Sequence, residues 1–374
     1  MSHAVSFNPD FLLRSWYRWG EPSEEKVYTA RKDIVSLARD HKIGVGGGAS
    51  LSVVNEYDLR RADFDPSWLS VDLRGSPTNR NGRKSAALSS PGFRKYLVNR
   101  LLEQVSLGIS EIHLGESNGE IHFDDWTLGL KGDVGFIQWL REKYTNQSLQ
   151  WWTENFGSLG RRMYEKSAVD RSTFLNLSPS QRTNFEREFG NLGSWRGNNN
   201  NGLPAFLSYK YRLNLENFLS ELSSELARNG YTHVTIDVWG FADWMPMMSV
   251  QPNAYISTPP DERWGLNWST DSTFDLVGNR ERIIAIMEKQ VNSVKPVPVV
   301  YMIDHPKPFD DFKKLPDERQ AEITEFFSDI SREVGANFVF RSYSRDRSFL
   351  GPRTDRVINA QCQQRKVHFC PTGK

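Results

Sequence analysis

A chain of 374 residues with 38% hydrophobic and 25% charged side chains is long enough to bury one large core, and that composition excludes disorder along its whole length. Lys and Arg total 47 against 46 Asp and Glu, so no global charge excess drives binding to nucleic acid or to an anionic membrane, although a local basic groove stays open. No stretch reaches the roughly 18 apolar residues of a membrane span.

The opening MSHAVSFNPDFLLRSWYRWG lacks the basic segment and apolar run of a signal peptide. The two cysteines, Cys362 and Cys370, both fall in the last thirteen residues and cannot staple a fold of this size. A soluble, cytoplasmic protein with free thiols is therefore expected, with a disulfide closing the tail as the alternative.

The first unit along the chain is EEKVYTARKDIVSLARDHKIGVGGG, where Val27, Ala30, Ile34, Leu37 and Ala38 share a helical face ahead of a strand from Ile43 to Val45. A short strand, WLSVDL, fits residues 68 to 73. In SPGFRKYLVNRLLEQVSLGISEIHLGE, Ser90 is placed to cap a helix, Pro91 to open it and Gly108 to close it before the next strand. Between about residues 141 and 204 the rhythm lapses. That segment has short helical patterns, two aromatic clusters and a flexible tract from Arg196 to Gly202, but shows no full core of its own. It reads as an insertion after a strand, a lid in preference to a separate domain.

The rhythm then resumes. FLSYKYRLNLENFLSELSSELARNGYTHVTIDVWG ends its helix at Asn229-Gly230 and its strand near Asp237. WGLNWS, near 264 to 269, reads as another strand, and two further units end in VPVVYMI and NFVFRSY. Alternating helix and strand imply a largely parallel sheet, and nearly continuous apolar strands imply that both faces are covered. With about seven strands in sight of the eight that close a barrel, the expected fold is α/β, a (β/α)8 TIM barrel with a helical insertion. It would span residues 25–350, between an N-terminal extension (1–24) and a C-terminal tail (351–374).

In such a barrel the reacting groups stand at the C-terminal ends of strands. Asp72, Glu116, Asp237 and Asp304 each end a strand-like run. Two carboxyls facing across a pocket are what glycosidic cleavage needs, one protonated as the acid and the other attacking the anomeric carbon or activating water. Nine of the twelve tryptophans lie between Trp126 and Trp268, and Trp126, Trp239 and Trp244 lie within ten residues of Glu116 or Asp237. An indole face suits a sugar ring as well as a protein core. Glu116 is the first choice as general acid/base, because apolar and aromatic walls would raise its pKa by desolvation. Asp237 and Asp304 are the choices for the second carboxylate, and either could hold a sugar hydroxyl instead.

The run DFDPSWLSVDLRGSPTNRNGRKSAALSSPGFRKYLVNRLLEQVSLGISEIHLGE resembles the first part of TIM-barrel glycoside hydrolases, where a D-x-x-G-x-P-like segment precedes S-P-x-[FY]-R-x-Y-L and a strand ending in an acidic pair. VGFIQWLREKY resembles the helix that follows that strand, and YKYRLNLENFLSEL the helix before the next. The resemblance covers about residues 43 to 240. It implies a carbohydrate substrate and a catalytic role for Glu116. The relatives carry Asp-Glu at the strand end, whereas Gly115 precedes Glu116 here; the work of the missing Asp is lost or falls to Glu120, Asp124 or Asp125. Gly115 therefore keeps a non-catalytic carbohydrate-binding barrel as the alternative.

Metal-dependent hydrolysis is a third reading, since His113, His122, Asp124, Asp125, Asp304 and His305 offer nitrogen and oxygen ligands. No H-x-H, H-E-x-x-H or C-x-x-C spacing supports it, so neither metal nor cofactor is expected. If Glu116 faces the mouth, His113, an odd number of residues away, points toward the helices as a supporting group. GVGGGA, residues 44 to 49, matches G-x-G-x-x-[GA], but no helix begins after it. Its glycines read instead as a sharp turn that keeps the barrel mouth open. Around the mouth, Asp72, Arg74, Asp124, Asp125, Trp126, Trp239, Trp244, His305 and Arg341 are expected to bind substrate. Arg74, Arg341 and Arg345 suit a carboxylate, sulfate or phosphate on an acidic sugar. Oligomeric state is not legible.

Overall fold

The computed structural model describes residues 11–13, 35–42, 44–54, 56–70, 77, 79–80, 83–115, 135–167, 176–189, 203–239, 254–258, 274–303 and 315–340. They form an α/β fold around a parallel sheet. In chain order the elements are strand β1 (Phe11–Leu13), β2 (Gly44–Ser50), β3 (Val53–Val54), β4 (Asn79–Arg80), β5 (Arg83–Ser85), helix α1 (Pro91–Ser106) and β6 (Glu111–Gly115). Helices α2 (Phe136–Lys143), α3 (Leu149–Tyr164), α4 (Pro179–Phe189) and α5 (Leu203–Arg228) follow, then β7 (Thr235–Trp239), β8 (Ala254–Thr258), α6 (Arg280–Val294), β9 (Val299–Ile303), α7 (Asp317–Glu333) and β10 (Asn337–Phe340).

Seven strands pair in parallel in the order β1-β2-β6-β7-β8-β9-β10, while β3, β5 and β4 make a small antiparallel sheet. Each new parallel strand is added at the same edge, with no reversal of direction across the sheet. Right-handed crossovers then place the intervening helices on one face. Register confirms which face. Gly47, Ile112, Ile236 and Ala254 form one row, and Ala49, Leu114, Val238, Ile256 and Val299 the next. The large members of these rows are buried in one cluster with Leu97, Leu101, Leu219, Leu222, Ile283, Met287 and Phe327 from the helices. Tyr301, one register step further, donates its hydroxyl hydrogen to Gln290 Oε1 at 2.6 Å on α6, with the Met287 carbonyl 3.2 Å from the same oxygen. Tyr301→Phe strips this donor from a fully buried site and leaves Gln290 Oε1 without it, and a loss of about 1–3 kcal/mol in urea-unfolding free energy is expected.

Several local expectations hold. Ser90 caps α1 by accepting from the Phe93 amide, Pro91 opens the helix, and Gly108 follows its end at φ 105°. Gly230 takes φ 78° just past α5. Others are corrected. The glycine run is not a turn: Gly44 to Ser50 is a strand paired on both sides, so no phosphate-cradling loop begins there. Val35 and Ala38 are buried in the helical stretch 35–40, while Leu37 is 40% exposed, because at about 100° per residue Leu37 turns away from the face that those two share.

Trp68 closes a 3-10 turn, Pro66–Trp68, instead of opening a strand. Asp65 caps that turn, and the coil lets Trp68 pack on Phe64 at 5.3 Å and Tyr96 at 5.7 Å. Strands β1 and β8 join the parallel sheet without having been foreseen, and β1 lies within residues 1–24. WGLNWS lies outside the described residues.

The insertion also differs from expectation, because it has a core. Phe136, Ile137 and Leu140 of α2, Trp152, Phe156, Leu159 and Met163 of α3, Leu177, and Phe206 of α5 bury one another in a second cluster. Residues from both sides of the expected limits, Phe136 and Phe206, meet at 5.2 Å between ring centroids. Helix α3 breaks at Gly157, whose φ is 57°.

Candidate active site

On the sheet face turned away from the helices, the aligned row is Gly48, His113, Asp237 and Tyr255. Local sequence explains the alignment. EIHLG and TIDVW share one pattern, with a single central polar residue flanked by apolar ones. Burying Ile112 and Leu114, and Ile236 and Val238, against the helices forces His113 and Asp237 to the opposite face side by side.

His113 Nδ1 lies 2.5 Å from Asp237 Oδ2. The Asp237 side chain is 0% exposed and that of His113 is 14% exposed. A carboxylate withdrawn from water is tolerable only with such a partner, since an isolated buried charge costs several kcal/mol. An ionised carboxylate only accepts, so the ring satisfies this oxygen by donating Nδ1–H to it. The Trp239 ring lies 6.3 Å from the imidazole, tilted by 48°. His113 thus faces away from the helices, contrary to the expectation from its spacing to Glu116. That expectation was conditional on Glu116 facing the mouth, and Glu116 lies outside the described residues.

The neighbouring strand is shaped around this pair. A Cβ on Gly48 would collide with the carbonyl group of His113. The Gly48 amide donates to Gln104 Oε1 at 2.9 Å, and Gln104 Nε2 donates back to the Gly48 carbonyl at 3.0 Å. Buried Gln104 of α1 therefore satisfies both backbone groups of that peptide unit position, meeting the requirement that buried amides be paired. Two residues further along the strands, the face away from the helices carries Ser50, Gly115, Trp239 and Ser257. Ser257 is fully buried.

Of the expected site residues, Asp237 and Trp239 fall within the described part. Trp239 ends β7, whereas Asp237 lies two residues before that end. Glu116 and Asp304 are bonded to Gly115 and Ile303, the final residues of β6 and β9, and parallel strands finish at one edge of the sheet. Glu116 and Asp304 themselves lie outside the described residues, as do Asp72, Arg74, Asp124, Asp125, Trp126, Trp244, His305 and Arg341. Among the described residues no group of three or more His, Cys, Asp or Glu could hold a metal. None of the described helices is long and apolar enough to cross a membrane.

No family model and no curated protein matches the chain. Solved structures similar to it include the glycoside hydrolase domain of PelA from Pseudomonas aeruginosa, at 11% identity and TM-score 0.42, covering 91% of this chain and 90% of that one. Another is β-galactosidase from the psychrophilic Marinomonas ef1, at 13% identity and TM-score 0.49, covering 97% of this chain and 56% of that one. The α-galactosidase from Lactobacillus brevis, at 10% identity and TM-score 0.46, is covered over 37% of its length by 97% of this chain.

Proposed function

We propose that the chain is a glycoside hydrolase on a (β/α)8 barrel, acting on an oligo- or polysaccharide without a metal. The observation that carries this reading is the His113–Asp237 pair beside Trp239, on the face away from the helices and close to the C-terminal edge of the parallel strands. Barrel active sites occupy that edge. An aromatic face beside polar groups that exchange hydrogen bonds with hydroxyls suits a sugar, which presents both C–H faces and hydroxyl rims.

In this reading Glu116, following the last residue of β6, protonates the glycosidic oxygen. A second carboxylate, from Asp237 or Asp304, attacks the anomeric carbon or activates water from the opposite side. Asp72, Arg74, Asp124, Asp125, Trp126, Trp239, Trp244, His305 and Arg341 hold the sugar. Gly115, where an acid stands in the proteins that the sequence resembles, favours one second reading, a barrel that binds carbohydrate without cleaving it.

Incubating the protein with a broad panel of polysaccharides and assaying reducing ends separates the two. Release of reducing ends, unchanged by EDTA, is expected. Binding to a polysaccharide with no release supports the second reading, and activity lost to EDTA and restored by metal contradicts the metal-free mechanism.

A further inference from the structure

We propose that the β4–β5 hairpin is an arm that holds an acidic polysaccharide, a chain of uronate sugars, beside the ends of the parallel strands. This rests on the glycosidase reading and names the substrate class of that site.

The charge pattern is the first ground. Lys and Arg exceed Asp and Glu by only one over the whole chain, yet the thirty residues from Leu73 to Leu102 contain seven of the cations and no acid. Two of the seven are engaged on α1. Arg94 Nε lies 2.9 Å from Glu221 Oε1, and Arg100 pairs with Glu103. Three others, Arg80, Arg83 and Lys84, fall together on β4 and β5. Lys84 is exposed and has no ion-pair partner among the described residues.

Register concentrates these charges. Arg80 is the cross-strand partner of Arg83, and Asn79 that of Lys84. The two residues between the strands, Asn81-Gly82, suit a tight hairpin turn. Like charges directly opposite each other in an antiparallel pair destabilise it. Cations also guard a free edge strand against pairing with another chain, which accounts for Arg80 on β4. That does not account for Arg83 and Lys84, because β5 is the central strand of the three and is paired on both sides. A bound anion turns the repulsion into attraction, and arginine matches the two oxygens of a carboxylate.

Topology brings the hairpin to the edge where barrel chemistry takes place. Ser50, the last residue of β2, is the register partner of Gly115, the last of β6, and the Leu51 amide donates to the Gly115 carbonyl at 2.9 Å. Strand β3 begins three residues after Ser50 and pairs Val54 with Lys84. The Ala86 amide, just past β5, donates to the Ser52 carbonyl at 2.8 Å. The hairpin is thus rooted at the strand end that Glu116 follows. A polymer is the ligand that serves both places, with carboxylates of successive sugars on the hairpin and another sugar of the same chain at Trp239.

The test uses the full chain and isothermal titration with polygalacturonate, alginate and hyaluronan, each beside its methyl ester, which keeps the backbone and loses the charge. At least one acid form is expected to bind tenfold or more tightly than its ester at about 50 mM NaCl, and to lose most of that advantage at about 300 mM, where exposed charges are screened. Arg80→Gln, Arg83→Gln and Lys84→Gln combined are expected to weaken binding by about 10- to 100-fold, three exposed contacts at up to about fivefold each. Lys42→Gln, Lys289→Gln and Lys295→Gln combined remove as much charge from exposed positions that precede the starts of β2 and β9, and should bind as the wild type does. Circular dichroism checks folding, and Lys84→Glu, a single change at an exposed site, serves as the second variant with a loss of about fivefold.

The proposal is overturned if no acid form binds better than its ester, if both triple variants lose equally, or if the hairpin variants bind as the wild type does. Tighter binding of single-stranded DNA, lost in the hairpin variants, also overturns it and makes the arm a nucleic-acid surface. Reducing-end release separates this inference from the reading it rests on. An acidic polymer held through the hairpin but never cleaved supports the arm and removes the hydrolase reading, whereas a neutral polymer cleaved equally by the wild type and the hairpin variants does the reverse.

Discussion

Glu116→Gln is expected to lower kcat/KM by about 10³-fold, within the range of about 10²–10⁴ that a positioned acid or base contributes, while leaving sugar binding intact. The amide has the shape of the carboxyl but no proton to give the leaving oxygen. Chain order motivates the assignment: Glu116 follows Gly115, the last residue of β6, and β6 pairs with β7, the strand that carries Asp237 and Trp239. Steady-state kinetics give the first quantity and isothermal titration the second. Unchanged turnover removes Glu116 from the chemistry, and loss of binding along with turnover makes it a substrate-holding residue.

The largest effect on stability is expected from Gly48→Val. The added side chain would run into the backbone carbonyl of His113, and neither strand is free to retreat. Strand β2 is held between β1 and β6, and β6 between β2 and β7. The Gly48 amide and carbonyl are also pinned by Gln104. Forcing a branched side chain into such a place costs about 3 kcal/mol or more, as overpacking with backbone displacement does. Urea unfolding followed by circular dichroism should show a lower midpoint with an unchanged slope. An unchanged midpoint contradicts the account of why this strand is made of glycine.

The glycine run shows where sequence reasoning reached its limit. GVGGGA has the composition of a turn, and local propensity disfavours glycine in a strand. What makes it a strand is tertiary: Gln104 crowds Gly47, the His113 carbonyl crowds Gly48, and neither neighbour is visible within the segment. The helices were more legible, because capping at Ser90-Pro91 and the turn at Gly108 depend on residues a few positions apart.

The candidate site shows the same limit. Asp237 was singled out as an acid near a strand end, but its depth was not, since strand boundaries are decided by pairing. The face of His113 was tied to that of Glu116 by counting back along the strand, whereas burial of Ile112 and Leu114 is what sets it. A better signal was present: EIHLG and TIDVW superpose residue for residue, and the observed register pairs them in that way, Glu111 with Thr235, Ile112 with Ile236, His113 with Asp237, Leu114 with Val238. Two strands of one pattern, adjacent in a parallel sheet, bring their odd polar residues together. The core of the insertion escaped notice because its members, from Phe136 to Phe206, straddle the segment that was inspected for one.

The central claim is that Glu116 and a second acid act on one sugar beside Trp239. A crystal structure of the Glu116→Gln variant soaked with an oligosaccharide released from the preferred polysaccharide tests it most directly. The account predicts the glycosidic bond between residue 116 and a second carboxyl, that of Asp237 or Asp304, with the two side-chain ends about 5–10 Å apart and a sugar ring on the Trp239 indole. An oligosaccharide bound elsewhere, or residue 116 too far from both Asp237 and Asp304 to share one bond with either, contradicts it.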